Sequence, residues 1–249
     1  MLSIVVPMHN EADNVAPLVA EIATACAGFP DWELVLVDDG STDGTAEAIH
    51  GLMTDRAWLR MVSHPTAGGQ SAAVHSGVLA AKGDIVCTLD GDMQNPPAEI
   101  PKLVAPLMAE TAPAMLGLVA GQRVRRQDTW SKRMASKFAN RLRSWMLNDD
   151  TRDTGCGLKA FRRDAFLELP FFNHMHRYLP ALFARAGYDI AHVDVAHRER
   201  GAGASKYTNF QRALVGIYDL FGVAWLIRRA KTVRPTEPAR SAAGREAAE

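Results

Sequence analysis

"DIVCTLDGDMQNPP", Asp84 to Pro97, decides the fold. An apolar run ends in two carboxylates one residue apart, Asp90 and Asp92, and a double proline follows. A strand interior has no use for charge. The carboxyl end of a strand in an open α/β sheet does, because ligands bind in the crevice there. The motif therefore predicts a buried strand over 84–90 with a ligand site at its end. Two neighbouring carboxylates suit one hard divalent cation, magnesium or manganese, which fills its remaining positions with phosphate oxygens and water. Gln94 adds a neutral oxygen, and Pro96 and Pro97 stiffen the exit into the next helix. The competing reading of so short a motif is a solvated turn.

The segments on either side repeat the pattern. "LSIVVP" (2–7), "ELVLVDD" (33–39) and "WLRMVS" (58–63) read as strands; 13–27, 45–53 and 70–81 have helical spacing. A helix is expected from about Ala98 to Glu110, then a strand, "LGLVAGQRV" (116–124). Continuous apolar strands alternating with helices predict a mostly parallel α/β sheet covered on both faces. Further on, the spacing predicts a basic amphipathic helix over 129–147, an extended "GCGLKAFRR" (155–163), a helix over 175–186 and a strand within "YDIAHVDVAHRER" (188–200). The end, "KTVRPTEPARSAAGREAAE", is polar and rich in Pro and Ala, and is expected to be disordered.

Composition narrows the function. The 249 residues carry 28 Lys+Arg against 28 Asp+Glu, and a balanced chain argues against a nucleic-acid partner. Cys26, Cys87 and Cys156 have no paired spacing, which signals neither a zinc site nor a disulfide frame and fits a reducing compartment. Strand-like residues follow Met1 at once, so no leader is expected. The first strand runs into "PMHNEADN", without the glycine-rich turn of a dinucleotide fold. "DDGSTDGT" resembles a calcium loop, but the twelfth position from Asp39 is His50, where a bidentate Glu is needed. A D-x-D-x-T phosphatase would place its motif after the first strand, with a threonine where Gln94 stands.

Further residues join the expected site. "VVPMHNE" and "LVLVDDGS" should open on the same sheet edge as "TLDGD". Asp39 and Glu11 are then placed to accept from a nucleoside. The alternative for Asp39 is a turn or helix cap, a task that Asp43 serves better. Ala72, Ala73 and Gly77 lie on one helical face and read as close helix packing. Between Arg123 and Arg143 eight Lys/Arg face the single acid Asp128, either a solvated helix face or an anion site.

"VVPMHNEADN", "VDDGSTDGT", "GGQSAAVHSG", "LDGDMQNPP", "DTGCGLKAFRR" and "RERGAGASKY", in this order, resemble the inverting family 2 glycosyltransferases, and within them the polyprenyl-phosphate, dolichyl-phosphate mannose synthase-like group. The resemblance covers about 2–230. It implies a nucleotide-diphospho-sugar transferase fold of the GT-A type. It implies transfer of a hexose from a GDP-mannose- or UDP-glucose-type donor to a polyprenyl phosphate, with Mg2+ or Mn2+ as cofactor. It places Pro7, His9, Glu11, Val37 and Asp39 on the nucleoside, and Asp90, Gly91, Asp92 and Gln94 on the donor diphosphate, with Asp92 and Gln94 on the metal. Arg123, Arg200 and Lys206 fall near the phosphates, and Lys132, Arg133 and Ser136 meet the lipid phosphate. His9 departs from a common tyrosine, and Lys132 from a common arginine.

A lipid phosphate is already an anion and needs no general base. A saccharide acceptor does, and Asp153 is the candidate. The expected domains are a catalytic unit over 1–208, a helix over 209–230 and a tail over 231–249. "ALVGIYDLFGVAWLI" (213–227) is too short to span a bilayer and is followed by Arg228, Arg229, Lys231 and Arg234. It reads as an interfacial helix on the cytoplasmic face of the cell membrane, or as a contact with a second copy or a small membrane protein.

Overall fold

The computed structural model describes residues 1–124, 143, 146–147, 151, 153–198, 209–230 and 233. Strands β1 (Leu2–Met8), β2 (Trp32–Asp39) and β3 (Leu59–His64) alternate with helices α1 (Ala12–Cys26), α2 (Thr45–Met53) and α3 (Gln70–Ala80). Then come β4 (Ile85–Thr88), a 3₁₀ turn at Pro97–Glu99, α4 (Ile100–Met108) and β5 (Leu116–Arg123). The rest comprises β6 (Lys159–Arg162), α5 (Arg163–Leu167), a 3₁₀ turn at Met175–Arg177, α6 (Leu179–Arg185), β7 (Asp189–Val195) and α7 (Asn209–Arg228).

One seven-stranded sheet has the order β3-β2-β1-β4-β6-β5-β7, and β6 alone runs antiparallel to its neighbours. The apolar runs are continuous because both faces are covered. Ile4, Val6, Leu34, Leu36 and Cys87 join one core layer with α1 and α4. Val5, Val35, Val37, Val86 and Phe161 join the other with α3, α6 and α7. Helix α3 sits close on β1 and β2, because a β-carbon at Gly77 would meet Val5 and lie 2.9 Å from Val37 Cγ2. The small-residue face of that helix is thus a packing face.

The chain winds outward from β1 through β2 to β3, then crosses back to β4 on the other side of β1. That reversal is a switch point, with a crevice beyond the carboxyl ends of β1 and β4. Val5 pairs with Thr88, so the residues after Thr88 run beside Pro7 and Met8. The acidic motif occupies this crevice.

Three expectations shift. The fourth strand leaves the sheet at Thr88, not at Asp90; beyond it Gly91 passes close to β1, where a β-carbon would lie 2.9 Å from the Pro7 carbonyl oxygen and against the Met8 sulfur. The single helix expected over 175–186 is split at Tyr178, with Pro180 in the first turn of α6. Helix α5 starts at Arg163, the last residue of the stretch expected to be extended, and runs on to Leu167, where no element was expected. The basic helix over 129–147 lies outside the described residues apart from Arg143, Met146 and Leu147. Of these, Arg143 is buried and donates to the Thr151 carbonyl.

Candidate active site

Two connected hollows flank Asp90. The first, about 260 Å³, is lined by Pro7, His9 and Glu11 from the end of β1, Asp39 from β2, and Asp90, Gly91 and Asp92. Seven of the residues expected at the donor thus meet in one place. Val37 does not join them, because its side chain is buried in the core under α3.

Asp39 is held by a distant turn. Its carboxylate accepts from Gly68 N–H (2.8 Å), Gly69 N–H (2.7 Å) and His64 Nδ1 (2.7 Å). Burial pushes its pKa up, but these donors outweigh burial and hold it below the usual value. Gly69 takes φ +86, a conformation that disfavours other residues and aims two successive amides at the carboxylate. His9 Nδ1 donates to the Asp39 carbonyl at 2.8 Å, which leaves Nε2 as the acceptor. Glu11 Oε2 accepts from Asn14 at 2.5 Å. Asp43, as expected, does the capping: it accepts from Thr45 N–H (2.9 Å) at the start of α2 and from Ala12 N–H (3.3 Å) at the start of α1.

The Asp90 carboxylate is clasped by two amides, Gln70 Nε2 at 2.6 Å and Asn95 Nδ2 at 3.0 Å. Burial raises its pKa, the Asp92 charge raises it further, and Lys159, Asn95 and Arg123 oppose the rise. Asp92 accepts from Gln94 N–H at 3.2 Å. Met93 between them has φ +62, a left-handed conformation uncommon outside glycine that folds the loop back on itself. Among the described residues no three His, Cys, Asp or Glu side chains converge on a metal position. Two crowded carboxylates with a neighbouring amide form a partial oxygen set, the kind magnesium or manganese completes with phosphate and water. The donor set therefore fits such an ion.

The second hollow, about 280 Å³, opens on the β6 side of Asp90 and shares Pro7 and Gln70 with the first. Its wall is the Thr154–Gly157 turn, with Lys159, His176 and Arg177. Gly157 is needed there: a β-carbon would stand 2.5 Å from Asp90 Cγ. Lys159 is buried and donates to the carbonyls of Cys156 and Thr154. Burial lowers its pKa, and the nearby Cys156, Asp90 and Asp153 oppose the fall. His176 Nδ1 meets the Ser71 hydroxyl at 2.7 Å. Burial, then the Lys159, Arg177 and His174 charges, push its pKa down to about 3.

Arg123 and Asp153 are partners. The guanidinium forks onto both carboxylate oxygens, Nε to Oδ2 at 2.6 Å and Nη2 to Oδ1 at 2.7 Å. That fork, set against burial, raises the Arg123 pKa. Lys132, Arg133, Ser136, Arg200 and Lys206 lie outside the described residues. The segment leading to Arg200 is anchored on the acidic loop, since Arg198 N–H donates to the Gln94 carbonyl at 2.9 Å. Gln70, Asn95, Lys159, His176 and Arg177 were not singled out from sequence, though Gln70, Asn95 and Lys159 lie within quoted motifs.

A sheet of this order, with an acidic pair at its switch point, defines a nucleotide-sugar transferase arrangement of the GT-A type. A crystal structure of glucosyl-3-phosphoglycerate synthase from Mycobacterium tuberculosis in complex with uridine diphosphate superimposes with TM-score 0.67 at 24% identity, covering 90% of this chain and 80% of that one. The same enzyme with Mn2+, uridine diphosphate and glucosyl-3-phosphoglycerate gives 0.63 at 23%, covering 92% and 80%. At these identities the likeness concerns the fold. Residues 3–169 match the profile of glycosyl transferase family 2. The dodecaprenyl-phosphate galacturonate synthase of Rhizobium johnstonii is 36% identical over 232 residues, 91% of this chain and 67% of that protein. The chain belongs to glycosyl transferase family 2.

Proposed function

We propose that this chain transfers a sugar from a nucleotide-diphosphate sugar to a polyprenyl phosphate, releasing a nucleoside diphosphate. The observation that carries the reading is the acidic pair: Asp90 and Asp92 line a nucleoside-sized hollow, and Asp90 also lines a second one beside it. The acceptor class comes from the Rhizobium relative, whose name gives a prenyl phosphate.

In this reading the first hollow holds the nucleoside against Pro7, His9 and Asp39. Asp92 and Gln94 would hold a divalent ion; when bound, it supplies positive charge at the donor diphosphate. An oxygen of the lipid phosphate attacks the anomeric carbon from the face opposite the diphosphate. The bond from that carbon to the diphosphate oxygen breaks, and configuration inverts. The nucleophile is anionic at neutral pH, so catalysis is positioning and charge stabilisation. Lys132, Arg133, Ser136, Arg200 and Lys206 are the proposed phosphate contacts. The fork between Arg123 and Asp153 favours this acceptor over a saccharide, because a carboxylate with both oxygens in an ion pair makes a poor base.

The surface of α7 fits a lipid phosphate's location. Leu220, Val223 and Ala224 pack on the core, while Ile217, Tyr218, Phe221 and Trp225 are exposed beside Arg228 and Arg229. Such a face suits the headgroup boundary of a membrane. No helix among the described residues is long and apolar enough to cross a membrane. The reading is tested by incubating the protein with radiolabelled nucleotide sugars and a polyprenyl phosphate. Labelled lipid that depends on the prenyl phosphate is expected; its absence with every donor overturns the reading.

A further inference from the structure

The second hollow carries more positive charge than a neutral sugar requires. Lys159 is 4% exposed, and its ammonium has three donors, of which two reach Cys156 and Thr154 carbonyls. Arg177 is half-buried on the same wall, and among the described residues its guanidinium makes no hydrogen bond or ion pair. His176, next to Arg177 in the chain, is tied to Ser71 and offers no negative charge. Asp90 is the wall's acid and offsets one of the two cations; its two oxygens accept from Gln70 and Asn95, and one positive charge is left over.

A buried cation that meets only hydroxyls loses hydration without full compensation. With Asp90 offsetting one cation, a carboxylate on the ligand balances the other, and the guanidinium fork matches its two oxygens. The space is small, about 280 Å³, at the lower end for ligand pockets and suited to one sugar ring with no room for a prenyl chain. The hollow lies across Asp90 from the nucleoside hollow, where the donor's sugar end would project. We propose that it receives the donor sugar and that Lys159 and Arg177 recognise a carboxylate on it, so that the donor is a nucleotide-diphosphate hexuronic acid. The inference rests on the transfer reading above and adds the sugar class.

The experiment compares UDP-galacturonate and UDP-glucuronate with UDP-galactose and UDP-glucose, by calorimetric binding and by kcat/KM with polyprenyl phosphate. Wild-type protein should prefer a hexuronate in both. Arg177→Gln should lower hexuronate affinity and kcat/KM roughly ten- to a hundred-fold, the size of one charge-assisted contact, and lower the hexose values much less. Lys159→Met, checked by thermal denaturation for folding, should narrow the preference in the same direction. Tighter binding of a hexose by wild-type protein overturns the inference. So does an equal loss on both donor classes, or a loss confined to the KM for prenyl phosphate, which would assign the cations to the lipid. Binding is read without turnover. Hexuronate preference in binding with no lipid product would therefore refute the transfer reading and leave the pocket assignment standing.

Discussion

Gly157→Ala tests whether the second hollow and the acidic motif are one machine. Gly157 is not among the residues with positive φ, so alanine meets no backbone penalty there. The cost arises from contact alone. The new β-carbon would stand 2.5 Å from Asp90 Cγ and 2.6 Å from Oδ1. Ordinary carbon contact begins near ~3.5 Å, so the carboxylate must retreat by about 1 Å. That shift stretches the bonds from Gln70 (2.6 Å) and Asn95 (3.0 Å) past useful length. Overpacking of this kind costs about 1–3 kcal/mol. For a chain of this size each kcal/mol lowers Tm by roughly 2–4 °C. Activity should fall further than stability, because a displacement of about 1 Å at a reacting site can cost on the order of a hundred-fold. Thermal denaturation and initial rates at saturating donor measure the two effects. Gly51→Ala in α2 is the control: nothing lies within 4 Å of its β-carbon, and alanine is favoured in a helix by about 0.5–1 kcal/mol. A Gly157→Ala protein with wild-type Tm and turnover within about threefold of normal would refute the reasoning about contact.

Asp92→Asn keeps volume and removes charge, so the fold should survive while turnover drops by about a hundred-fold or more at every magnesium and manganese concentration; near-normal rates at saturating ion would remove Asp92 from the metal. His176 gives a pH signature. Its folded pKa, about 3, lies below the unfolded value, so the unfolded chain binds the extra proton; the stability this contributes is complete above the unfolded pKa and is lost as pH falls toward 3. Urea denaturation at pH 7 and pH 5 should show a loss of up to about 1.4 kcal/mol per pH unit below ~6.5, and His176→Gln should flatten it; parallel profiles would contradict the burial argument. On α7, Tyr218→Ser with Phe221→Ser and Trp225→Ser should abolish flotation with anionic liposomes at unchanged Tm, because these side chains are exposed. Deleting the whole helix is a poorer test, since Val223 and Ala224 belong to the core.

Local pattern made the first half of the fold legible. The apolar runs of β1, β2 and β4 are continuous because each is covered twice, and the switch from apolar residues to Asp90 and Asp92 marks the sheet edge. Long-range pairing was not legible. Thr88 lies beside Lys159 only because β6 inserts between β4 and β5, and nothing in "GCGLKAFRR" states its neighbour. Lys159 and Arg177 thus enter the site through topology. Gln70 and Asn95 were hidden for another reason: a primary amide has no periodicity, and its value here lies in meeting a carboxylate twenty or five residues away. Asp39 was placed at the right edge, but its grip on Gly68 and Gly69 depends on a turn thirty residues on.

The account turns on the acceptor. One reaction offers wild-type protein a radiolabelled nucleotide sugar together with a polyprenyl phosphate and an excess of free saccharides, and the label is partitioned between organic and aqueous phases. The account predicts label in an acid-labile prenyl-phosphate sugar, with nucleoside diphosphate released in equal amount. Label in a lengthened saccharide, with none in the lipid, would contradict it.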